Sequence, residues 1–133
     1  MRMPIAALAF AAVAATAAPS LAHHSANAQY DVAREVELTG VLTKLSAVNP
    51  HSLWQMDIRN AAGQVEKWTF ESASPAVLRR NGVRVREDVK IGDTFTVYFN
   101  PPRAKQTMGF MRAILIKGQR VSITQLEPVR GTE

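Results

Sequence analysis

Short runs in which every second residue is apolar, each closed by glycine, proline or asparagine, fill the chain from Val36 onward. A period of two puts alternate side chains on opposite faces of an extended backbone, so the pattern restricts the fold to sheets that bury one face. Val36 and Leu38 alternate with Glu35, Glu37 and Thr39, and beyond Gly40 the apolar set moves to Val41 and Leu45. A change of parity at a glycine predicts a bulge, the device that lets a long first strand bend and a small barrel close. Asn49-Pro50-His51-Ser52 reads as the first loop, because proline lacks a backbone donor and restricts the residue before it.

Trp54, Met56 and Ile58 mark a second strand that ends in the turn-rich residues 59–63. Residues 65–71 form a third, with Trp68 and Phe70 on the core face and Lys67, Thr69 and Glu71 on the other. Ser74 as N-cap, Pro75 at the first helical position and Gly82 as a stop predict one short helix over 75–81, with Val77 and Leu78 toward the core. Phe95, Val97 and Phe99 point inward from a fourth strand, and residues 111–117 and 120–124 flank Gly118 in a closing hairpin. The order β-β-β-α-β-β, with room for an extra edge strand, predicts a mainly β fold, a small OB-like antiparallel barrel with one short helix after the third strand.

Ahead of the strands, Met1-Arg2-Met3 leads into an apolar run over 4–18 and then Pro19-Ser20-Leu21-Ala22. A helix over that run reaches about 22 Å against a hydrocarbon core of about 30 Å, so the expectation is a cleaved secretory signal and not a membrane span. The expected organisation is a signal peptide over 1–22, a polar N-terminal arm over 23–34 whose only large apolar group is Tyr30, and a barrel over 35–133. That places the protein in the periplasm or outside the cell. A rival cleavage after Ala28, using Ala26-Asn27-Ala28, lies farther from the apolar run. Arg2 is the signal's one charged residue, so 15 of the 16 Lys and Arg remain against 11 Asp and Glu, a formal +4. Export and the lack of a dense basic run argue against nucleic acid as a partner. The chain has no cysteine, which excludes disulfides, thiolate metal sites, covalent haem attachment and a lipoprotein anchor.

His23-His24-Ser25, Leu38-Thr39-Gly40, Asn49-Pro50-His51, Trp68-Thr69-Phe70-Glu71, Ser74-Pro75, Leu78-Arg79-Arg80 and Gly92-Asp93 together resemble a family of small exported bacterial proteins known only as a domain of unknown function. The tryptophan usual in that family after the helix-ending glycine is Val83 here. The resemblance implies an exported compartment and barrel-like β structure, and it implies no activity.

Cleavage after Ala22 would expose His23 as the first residue, joining a free amine to the imidazoles of His23 and His24. Imidazole, with a reference pKa of about 6.5, binds copper or zinc near neutral pH, and a thioether favours Cu(I). In an OB-type barrel the loops after strands one and four are ligand-binding elements, and here they carry His51 and Met108. The expected metal set is therefore His23, His24, His51 and Met108, with copper before zinc. A solvated tail, a turn histidine at 51 and gap-filling methionines at 108 and 111 compete with it. The alternative is a non-metal module of the cell envelope that binds an anionic glycan, a lipid or a partner protein through Arg103, Lys105, Trp54 and Glu71, or an accessory subunit docked by an edge strand. Arg79, Arg80, Arg84 and Arg86 add positive charge, with a solvated helix face as the plainer reading. No phosphate cradle, nucleophile elbow, His-Glu-x-x-His or paired-carboxylate motif is present, so a binding role is expected ahead of an enzymatic one.

Overall fold

A computed structural model of the chain describes residues 28–123, so the expected signal and both N-terminal histidines lie outside the described residues. The period of two becomes six strands: β1 (Val36–Ser46), β2 (His51–Arg59), β3 (Val65–Ala73), β4 (Thr94–Asn100), β5 (Met108–Ile116) and β6 (Gln119–Ser122). Two short helices, α1 (Pro75–Arg80) and α2 (Val85–Asp88), sit between β3 and β4. The sheet runs β3-β2-β1-β4-β5-β6, and an additional β3–β5 pairing closes the first five strands into a barrel.

The expected barrel is present, and its closure is not antiparallel throughout. Strand direction cannot alternate all the way round a ring of five, so at least one neighbouring pair must run parallel. That pair is β3–β5, with Thr69 opposite Met108, Phe70 opposite Gly109 and Glu71 opposite Phe110. The inward side chains of every strand meet in one core, from Leu42, Trp54, Met56, Ile58 and Phe70 to Val97, Phe99, Met111 and Ile114. Phe70 lies 4.9 Å from Phe99 and 5.7 Å from Trp68 between ring centroids, and Trp68 packs edge-on to Phe99 at 5.5 Å. Trp68 and Phe70 thus face the core as their spacing requires.

The first strand departs from its sequence reading. Gly40 and Leu42 are both buried and Val41 is exposed, so parity holds through Gly40. The register slips between Leu42 and Lys44, where Thr43 is the extra residue. Gly40 serves close approach instead: a Cβ there would come within 2.5 Å of the Asp57 carbonyl oxygen and 2.6 Å of Ile58 Cγ1. A bare backbone at this point lets β1 and β2 press together as the sheet rolls.

Three boundaries also move. His51 begins β2 rather than sitting in a loop, and Met108 begins β5 rather than lying within the loop before it. α1 starts where expected, with the Ser74 hydroxyl accepting from the Val77 N–H at 3.5 Å, but it ends one residue sooner, at Arg80, before Gly82 turns the chain with φ +95°. Leu78 is buried and Val77 half-buried. α2 was not expected, because Arg84 occupies its N-cap and offers no capping oxygen. Asp88 instead reaches back from the helix to accept the Arg84 N–H at 2.9 Å, and its hydrogen bonds from Arg84 hold its carboxyl below the usual range.

Two substitutions test the packing by urea unfolding. Phe70→Ala should cost about 3–5 kcal/mol, the usual range for truncating a buried phenylalanine. Gly40→Ala should cost about 1–3 kcal/mol because the colliding atom is backbone; an unchanged midpoint would show that the two strands are free to part.

Candidate functional site

Alternation along the closing seam sends one set of side chains outward. Ser52, Trp54, Phe70, Ser72, Gly109 and Met111 are buried, which leaves His51, Glu71, Met108, Phe110 and Arg112 on the outer face. His51 lies opposite Ala73, so Glu71, two residues back on β3, is its diagonal neighbour on that face. The imidazole Nδ1 is in direct contact with the Glu71 carboxylate, with the His51 side chain 49% exposed and Glu71 28%. Phe110 meets the His51 ring edge-on at 6.4 Å.

The N-terminal arm crosses the same face. Asp31 N–H donates to the Pro101 carbonyl at 2.8 Å, Arg103 N–H donates to the Gln29 carbonyl at 2.9 Å, and Tyr30 bridges Pro102 in antiparallel sense. The Asn100 amide donates to the Arg34 carbonyl at 2.6 Å, and Gln29 Nε2 donates to Met108 Sδ at 3.4 Å. Tyr30 is 1% exposed with its ring 5.9 Å from Phe110. Residues 29–34 of the arm are therefore pinned to the barrel, anchored by the large apolar group of Tyr30.

The Tyr30 hydroxyl is shut off from solvent and makes no hydrogen bond of full geometry among the described residues. Burial first, then the charge and accepting oxygens of Glu71, push its pKa up from 10.0 to about 12. Glu71 thus stands between a phenol that stays protonated and an imidazole. With Nδ1 turned to the carboxylate, Nε2 is the His51 nitrogen left for a ligand.

His51 is in the wall of a cleft of about 240 Å³ lined by Pro50, His51, Ala73, Ser74, Val77, Phe110 and Arg112. The strand start, the strand end and the first turn of α1 meet there. Of the residues expected to bind, His51 and Glu71 are brought together and Met108 lies on the same outer face. Trp54 is corrected to core: it is fully buried and its indole N–H donates to Ser72 Oγ at 2.8 Å, so it offers no surface to a ligand. Arg103 and Lys105 are exposed on the loop before β5, which joins the seam at Thr69 and Thr107, whereas His51 lies beside Ala73. Arg79, Arg84 and Arg86 gather around a separate cleft of about 820 Å³. Among the described residues no three His, Asp or Glu side chains are grouped to hold a metal ion. Tyr30, Phe110 and Arg112 were not singled out as site residues from sequence; Tyr30's isolation in a polar arm was the signal available.

The raised phenol pKa gives a stability profile with a definite sign. Below about pH 10 the tyrosine is protonated whether folded or unfolded; above it the unfolded chain loses the proton first, so stability falls as pH climbs toward 12. In a Tyr98→Phe background, phenolate absorbance should rise near pH 12 or with unfolding, and Tyr30→Phe should remove that tyrosine-linked loss. A phenolate signal at about pH 10 in folded protein would contradict the burial.

Among the described residues no helix is long and apolar enough to cross a membrane. No curated protein matches the chain. A model for a family of unknown function, DUF6152, matches residues 11–112, and the chain belongs to that family.

Proposed function

We propose that this chain is an exported ligand-binding barrel whose ligand is a transition metal, copper before zinc, held by His51 Nε2 with the amine and imidazoles of His23 and His24. The observation that carries this reading is the His51–Glu71 pair. A carboxylate on one imidazole nitrogen fixes the tautomer, orients the ring and raises the basicity of the other nitrogen, which is how metal-bound histidines are commonly supported. The pinned arm supplies the second support. Gln29 touches Met108, two residues before Phe110, and a strand advances only about 7 Å over two residues. His24 precedes Ala28 by four residues, a reach of up to about 14 Å. Met108 adds a thioether suited to Cu(I) on the same face. A second reading, an envelope module for an anionic glycan or lipid, is favoured by the arginines around the wider cleft.

Mass spectrometry of exported protein should show a chain starting at His23. A start at Gln29 would remove the terminal ligands. Calorimetry with Cu(II) should then rank four proteins: the chain starting at His23 binds tightest, one extra N-terminal residue weakens it, and His51→Ala weakens it further. Glu71→Gln should weaken binding by about 10–100-fold through the lost support of the ring. Equal affinities for all four would reduce the histidines to a solvated tail.

A further inference from the structure

Arg112 projects from β5 into the cleft beside His51 and is only partly exposed. Its guanidinium makes no ion pair or hydrogen bond among the described residues. Glu71, the carboxylate on the adjoining stretch of β3, is engaged by His51. A guanidinium offers a positive charge and five N–H donors in a planar fork, so a partly exposed one without a partner among the described residues gives the cleft an open place for an anion. We infer that it binds a small organic carboxylate, with Arg112 as the anchor.

The other walls narrow the class. Pro50, Ala73, Val77 and Phe110 are apolar and would cover a carbon skeleton, whereas a compact hydrated phosphate would lose water to them without return. The planar fork of arginine matches the two oxygens of a carboxylate. Ser74 accepts the Val77 N–H through its hydroxyl oxygen, which leaves the hydroxyl proton to donate into the cleft. At about 240 Å³ the space lies below the roughly 300–1,000 Å³ of sites for drug-sized ligands, so the ligand is compact. This inference rests on the cleft being the binding site, as in the metal reading, but it needs no metal.

Benzoate is the probe, titrated into the full mature protein after dialysis to remove metal. Saturable binding is expected, weakened about tenfold or more by Arg112→Gln and partly restored by Arg112→Lys. Inorganic phosphate should bind more weakly than benzoate. Thermal unfolding confirms that each variant is folded, and if the glutamine variant is not, the lysine variant decides by a reduced affinity. Absence of benzoate binding, an affinity indifferent to Arg112, or phosphate binding more tightly than benzoate would overturn the inference. One extra residue ahead of His23, outside the cleft, separates the two readings: weakened copper with benzoate unchanged upholds this one, and copper bound by the unextended protein without any benzoate response leaves the metal reading alone standing.

Discussion

Five strands closed into a ring force one parallel seam, and the rest of the molecule is arranged around that seam. Only three residue pairs make it, and parallel pairing is slightly weaker per residue than antiparallel. Both faces are reinforced. Inside, Phe70 and Phe99 pack together, and Gly109 leaves the space that the Phe99 ring fills, since a Cβ there would run into it. Outside, Tyr30 and Phe110 form a second, smaller apolar contact beneath the arm. The arm is therefore part of how the barrel is closed.

A parallel pair cannot be joined by a tight turn, so the chain must travel from the end of β3 around to the start of β5. It does so through α1, α2 and β4, and the cleft is a product of that route. Ala73 ends β3, Ser74 caps α1, and His51 opens β2 opposite Ala73. Where a strand ends beside a strand that begins, the outer face has side chains on three sides and nothing of the barrel above them. His51, Phe110 and Arg112 occupy that gap. Glu71, one step along the seam, links the imidazole on one side to the buried phenol on the other.

Local chemistry was legible in the sequence and pairing was not. Trp68 and Phe70 face the core because a period of two leaves them no other choice, and Ser74-Pro75 fixes the start of α1 through one hydroxyl and one constrained φ. The bulge was placed at Gly40 because the apolar residue Val41 follows it, yet Leu42 takes the inward position and Thr43 carries the slip. The two neighbours are both apolar, and only the register with β2 decides between them. α2 has no capping residue type at its start, and the back-bond from Arg84 N–H to Asp88 that steadies it is visible only in the fold. The site was half legible: His51 and Glu71 carry recognisable chemistry, but their meeting depends on the β2–β3 register, and Arg112 gained meaning only when β5 was set beside β3.

Paramagnetic broadening by Cu(II) in the NMR spectrum of protein beginning at His23 tests directly whether the arm delivers its N-terminus to the seam. At substoichiometric metal, signals of His51, Glu71, Phe110 and Arg112 should broaden first, while those of Val65, exposed at the far end of β3, and Ile91, exposed in a turn, stay sharp. Broadening confined to the residues before Ala28, or spread evenly over the barrel, would contradict the account.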